Sequence, residues 1–158
     1  MNQELLHQIN KTVGEDDELY IMGDFAWKRP HTWFHKINCK TIHLTYGNHD
    51  NILSMESLPF ASQDHYKEIM VDGQKIVMFH YAMRVWNGSH RGSFLLYGHS
   101  HNSIDNTWGK SMDVGVDAAK ELLGEYRPFS LSEITEILSQ REVQVLDHHN
   151  SKTKKVKL

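Results

Sequence analysis

The sequence predicts one α/β domain with a mixed sheet flanked by helices. Three observations lead there. Short apolar runs of strand character, "ELYIMGDF" at 18–25, "KTIHLTYG" at 40–47 and "FLLYGHSHN" at 94–102, each meet a glycine and then turn polar. Segments of helical spacing alternate with them, which is the α/β pattern. "HYKEIMV" and "KIVMFHY" flank an Asp72-Gly73 turn signal, and several such hairpin pairs are expected to make the sheet mixed.

The elements follow in order. Leu5, Leu6, Ile9 and Val13 share one face of an N-terminal amphipathic helix that "GEDD" ends. The strand 18–25 comes next. Residues of about 30 to 38 allow a helix with Pro30 in its first turn, where a missing amide costs nothing. The strand 40–47 precedes "NHDN" and an irregular stretch containing Pro59. After the hairpin, "AMRVWNGSHRGS" at 82–93 is turn-rich and reads as a surface loop. "FLLYGHSHN" and "KSMDVGVD" read as two more strands. Ser130 and Glu133 form a capping box that starts a last helix, with Ile134, Ile137 and Leu138 on its apolar face. "REVQVLDHHN" at 141–150 reads as a final strand, and "SKTKKVKL" at 151–158 as a disordered basic tail. Residues 1–150 are thus expected to be a single domain.

Composition narrows the function. The 158 residues suffice for one core, and 39% hydrophobic with 23% charged residues excludes a disordered chain. No apolar run approaches the roughly 20 residues of a membrane span, so no membrane role is expected. The N-terminal segment lacks the basic and apolar regions of a signal peptide. The single cysteine, Cys39, fits a reducing, cytoplasmic setting. A net charge of -3 offers nucleic acid no broad attraction. Histidine is abundant, 12 residues against 17 Lys plus Arg, and is the commonest metal ligand.

Several of these histidines sit just past strand ends, where open α/β sheets place ligand crevices. Asp24, Asn48, His80, His99 and His101 offer carboxylate, amide oxygen and imidazole, a mixture that suits Mn²⁺, Fe²⁺, Ni²⁺ or Zn²⁺. On an extended chain His99 and His101, two apart, project to the same side. His7, His31, His35, His43, His65 and His90 read as surface or packing residues.

"GDF" at 23–25, "GNHD" at 47–50, the histidine of "FHYA" at 79–82 and "GHSH" at 98–101 stand in the order of calcineurin-like metallophosphoesterases, which the chain resembles over about residues 18 to 129. It looks most like the small, uncapped bacterial and phage members. The resemblance implies a metallophosphoesterase-like sandwich and two divalent metal ions, with a phosphate ester as substrate: a small phosphomonoester, a phosphodiester or a nucleotide, among which the sequence does not choose. It implies that Asp24 bridges the ions, that Asn48, His80 and His99 complete one site, and that His101 faces the other. It makes His49 the residue beside the leaving-group oxygen, with Asp50 orienting it, and the reaction an in-line attack of metal-bound hydroxide on phosphorus.

The family's first motif, Asp-x-His on an N-terminal strand, is absent from this chain. The first ion would then keep only Asp24 and His101, so one ion per chain is the alternative to two, and a catalytically idle scaffold that binds a protein partner is the alternative to an enzyme. The missing strand should leave an unfilled slot or an exposed sheet edge. Three readings stand: Asp147 and His149 of the C-terminal strand supply the Asp-x-His spacing, in this chain or from a neighbour's; that strand is peripheral and its histidines lie on the surface; or the missing strand exists only in a longer form of the chain. The basic tail is the one weak pointer to nucleic acid.

Overall fold

The computed structural model describes residues 2–105 and 107–146. Helix α1 (Asn2–Thr12) leads into strand β1 (Glu18–Ile21), and α2 (Pro30–Phe34) into β2 (Thr41–Thr45). α3 (Ile52–Glu56) and the short β3 (Ser62–Asp64) follow, then the β4–β5 hairpin (Tyr66–Val71, Gln74–Phe79). A 3₁₀ turn at Ser89–Arg91 precedes β6 (Phe94–Tyr97) and β7 (Ser111–Asp113), and α4 (Val116–Leu123) and α5 (Leu131–Ser139) close the described fold.

The expected mixed α/β architecture is present, divided into two sheets. β1, β2 and β3 form a parallel sheet in that order, and β4-β5-β6-β7 a mixed one in which only the hairpin is antiparallel. Asp72 (φ 49°) and Gly73 (φ 81°) are both left-handed, as a two-residue type I′ turn requires, and the register Val71↔Gln74 follows from it. Among the described residues β1 pairs only with β2, which leaves its other side as a sheet edge.

Burial explains the layering. On β5 and β6, Ile76, Met78, Phe94 and Leu96 face α5, where Ile134 and Leu138 cover them; Met112 of β7 joins this core. The alternate residues Val77, Leu95 and Tyr97 face Trp86, Met83 and Trp108 on the opposite side. This period of two is the pleat, with both faces covered. Tyr20 and Met22 at the end of β1 reach into the α5 core, which links the two sheets. Leu44, Ile42, Phe34 and Met55 form a second core between the parallel sheet and α1–α3.

Four expectations change. The stretch 82–93 is a turn-rich loop with Ala82, Arg84, Val85, Asn87 and Arg91 exposed, as expected, but not a loop of the surface alone: Trp86 is 7% exposed and donates from its indole to the Ser93 carbonyl, so part of the segment roofs the mixed sheet. Residues 52–64 hold α3 and β3, where the sequence reading had no element, and the strand read over 110–117 ends at Asp113, with α4 starting at Val116. The helix from Pro30 stops at Phe34, short of 38. Residues 141–146 form no strand; Val143 and Gln144 pack at Gly92 and Gly109, below the N-terminal ends of β6 and β7. Asp147, His149 and the tail 151–158 lie outside the described residues.

Candidate metal centre

Four strand ends converge on one place, and glycine permits it. After β1 the chain turns through Gly23 (φ 89°) and Asp24 (φ 54°), both left-handed. A Cβ on Gly23 would lie 2.5 Å from the Gly47 nitrogen and 2.5 Å from His80 Nδ1. No side chain fits there, so the turns after β1 and β2 approach each other backbone to backbone, against the imidazole that follows β5. Gly98, after β6, approaches the Met22 carbonyl in the same way.

The side chains delivered are Asp24, Asn48, His80 and His99. Ligand atoms of Asp24, His80 and His99 all lie within 4.8 Å of one another. His80 Nε2 is 3.0 Å from Asn48 Oδ1 and 3.6 Å from Asp24 Oδ2. The ring is 1% exposed, and its Nδ1 lies 2.7 Å from the Met22 carbonyl oxygen. A carbonyl only accepts, so Nδ1 carries the hydrogen, and in the neutral ring Nε2 presents its lone pair toward oxygen atoms. Turning the Asn48 amide would satisfy Nε2 but not the Asp24 carboxylate, which pairs with no lysine or arginine among the described residues. A shared cation resolves both. Two ligands on one ion with bonds of about 2.1 Å, subtending about 90–120°, stand about 3.0–3.6 Å apart, as these do. The donor set therefore fits a divalent ion, and the Met22 carbonyl fixes the tautomer that ligation by Nε2 needs.

The other expected residues are placed differently. His49 donates its backbone N–H to Asp24 Oδ1 at 2.9 Å, and its exposed ring stacks on Trp27 at 4.3 Å and 28°. Asp50 does not orient that ring. Its carboxylate accepts the amides of Asp24 (2.8 Å), Gly47 (2.9 Å) and Phe25 (2.9 Å), which ties the first two turns together. His99 and His101 do not project together: both are left-handed, at φ 63° and 48°, because the chain coils instead of extending. His99 joins the cluster, whereas His101 turns out to Asp117, Nδ1 to Oδ2 at 2.7 Å, with its side chain 78% exposed. Among the described residues Asp24, His80 and His99 are the one such group. His31, His43 and His65 serve packing or polar contacts, to Ser57, to Tyr20 and Ser62, and to Tyr46. Burial lowers the His43 pKa and, with Glu18 beside it, raises that of Tyr20 to about 12.

Four further residues shape the centre. Asp113, 1% exposed at the end of β7, accepts from Ser100 Oγ (2.6 Å), the Asn102 amide (3.1 Å) and the Gly115 amide (2.7 Å), and so holds the His99–His101 loop. In "SMDVG" a carboxylate stands two residues before a glycine at a strand end, a signal that the sequence carried. Tyr81 packs its ring edge-on to His99 at 4.6 Å. Trp27, in the turn-rich "GDFAWKR", has Phe25 two residues before it, so neither its exposure nor its stack on His49 was legible in the sequence. Nothing in the sequence pairs Asp117 with His101.

The chain matches no protein-family model and no curated protein sequence. Among solved structures it is similar to the protein of unknown function AQ665 from Aquifex aeolicus, with a TM-score of 0.64 and 19% identity, covering 86% of this chain and 84% of that one. A weaker likeness is to Yfce, a phosphoesterase from E. coli, with a TM-score of 0.49 and 16% identity, covering 71% of this chain and 69% of that one. At 19% identity the first likeness shows a shared fold alone.

Proposed function

We propose that this chain is a metal-dependent phosphoesterase that hydrolyses a phosphomonoester or phosphodiester at the cluster of Asp24, Asn48, His80 and His99. One observation carries the reading: a buried imidazole, its Nδ1 held by the Met22 carbonyl, turns Nε2 toward an amide oxygen and a carboxylate at the ends of separate strands. A divalent ion in such a site supplies Lewis acidity toward a phosphoryl oxygen and a water nucleophile near neutral pH.

The chain's own groups do the rest. Asp24 keeps one oxygen on the His49 amide and leaves the other in the cluster. Asp50, through its three amide bonds, holds the two turns at the spacing the ligands need. His49, exposed beside the cluster, gives a proton to the departing ester oxygen. Mn²⁺, Fe²⁺, Ni²⁺ and Zn²⁺ all suit these ligands. An idle, partner-binding scaffold is favoured by a single observation: among the described residues there is one three-ligand group, and His101 stands outside it.

The test pairs metal content with turnover. The purified chain, reconstituted with Mn²⁺, should hydrolyse p-nitrophenyl phosphate or bis-p-nitrophenyl phosphate. His49→Ala should keep its bound Mn²⁺ and lose turnover. Unaltered turnover in His49→Ala would exclude the role given to that histidine. No turnover in the unmutated, metal-loaded chain on either ester would favour the scaffold.

A further inference from the structure

Trp27 is the most exposed large aromatic near the centre. It is 74% accessible, yet one side of its indole is already committed to the ring of His49. An indole left in water beside a histidine contributes little to the fold. Its open side is a flat apolar surface adjoining the residue that serves the leaving group. Lys28 and Arg29 follow it directly, both exposed and both without an ion pair among the described residues. A planar group that stacks on Trp27 would therefore have two unneutralised cations at its margin. Planar ring and further negative charge occur together in nucleotides and in single-stranded nucleic acid, where stacking on aromatic side chains tolerates any base. Tyr81, 38% exposed and edge-on to His99, gives the cluster an aromatic flank beside a second ligand.

We propose that Trp27 is a stacking platform for a nucleobase on the leaving-group side of the substrate, with Lys28 and Arg29 meeting its additional phosphate charge. The substrate class is then a nucleoside phosphate ester, not the ester of an aliphatic alcohol. This inference rests on the phosphoesterase reading above, and its test separates the two.

The full chain loaded with Mn²⁺ is titrated by calorimetry with adenosine 5′-(α,β-methylene)diphosphate and, separately, with methylenediphosphonate, which lacks the nucleoside. The P–C–P link of both resists hydrolysis. The nucleoside compound should bind about tenfold or more tightly than the bare diphosphonate, the ratio expected for one stacked base. Trp27→Ala should abolish that ratio without changing affinity for the diphosphonate, and Trp27→Phe should keep part of it. Because the side chain is exposed, both variants should keep the urea midpoint of the parent. Equal affinities in the parent, or a preference that survives Trp27→Ala, would overturn the platform and leave the phosphoesterase reading intact. Failure of both compounds to bind the metal-loaded parent would overturn the platform and the phosphoesterase reading together.

Discussion

Replacing Gly23 by alanine should be among the most damaging single-methyl changes available to this protein, and the structure contains its own controls. Gly23, Gly73 and Gly124 have nearly the same φ, 89°, 81° and 79°. An L-residue held there costs about 1–2 kcal/mol in each case. A Cβ on Gly73 or Gly124 meets nothing within 4 Å, so those substitutions should lose that strain and no more. On Gly23 the Cβ would stand 2.5 Å from the Gly47 nitrogen and 2.5 Å from His80 Nδ1. Relief requires the turns to separate, which strains the 2.7 Å bond from His80 to the Met22 carbonyl. Overpacking of this kind costs about 1–3 kcal/mol, and a buried hydrogen bond lost without replacement about 1–3 kcal/mol more. Gly23→Ala should thus lose at least about 3 kcal/mol. With a urea m-value of about 2 kcal/mol/M, the midpoint should fall by about 1.5 M or more, against about 0.5–1 M for Gly73→Ala and Gly124→Ala. Its Mn²⁺ affinity should fall as well, while the two controls keep theirs. Equal midpoint shifts in all three variants would refute the argument that backbone contact at Gly23 sets the spacing of the centre.

Other perturbations separate the roles of the remaining residues. Mn²⁺ counted after reconstitution should be one per chain; His80→Ala should abolish it and His101→Ala should not, since His101 lies outside the three-ligand group. Asp113→Asn should cost about 2–3 kcal/mol in urea unfolding and lower metal affinity, because an amide nitrogen would then face an N–H or O–H donor in a 1% exposed site. Ser130→Ala should cost about 1 kcal/mol by removing the N-cap of α5, with no effect on metal content. Glu133 carries a pH signature. Its hydrogen bonds to Arg127, and secondarily to Ser130, depress its pKa from 4.5 to about 2. A depressed carboxylate pKa contributes stability that is complete above about 4.5 and is lost as pH falls through about 2. The cost of Glu133→Gln, about 1 kcal/mol after solvent screening, should be full at pH 6 and gone at pH 2 in paired urea titrations.

Short-range physics was legible in the residues themselves. The capping box at Ser130 and Glu133 needs a span of three residues, and the Asp72-Gly73 turn needs two, so each was readable without its surroundings. The same holds for the amphipathic face of α1 and for Pro30 at the start of α2. α4 and β3 were missed because their stability comes from packing, whereas α3 carried a local signal that was overlooked, the Asn51 side chain that accepts from the Ser54 amide. β3 is three residues long and exists through pairing with β2, and Ala118 and Ala119 of α4 are small residues whose burial no periodicity announces.

The sequence by itself determined which chemical groups stand at strand ends: a carboxylate after Gly23, an amide after Gly47, imidazoles at 80 and 99. Tertiary structure alone decided where each of them points. Asp50 follows His49 in the chain, yet its carboxylate lies on the amides of Asp24 and Phe25 in the opposing turn and of Gly47 in its own, because those N–H groups need an acceptor more than an exposed ring does. His99 and His101 have the spacing of neighbours on one face, but left-handed backbone angles at both positions send one into the cluster and the other to Asp117, 16 residues away. Sequence order sets composition along each strand. Side-chain direction after the last strand residue depends on turn dihedrals, and these are set by which backbones meet.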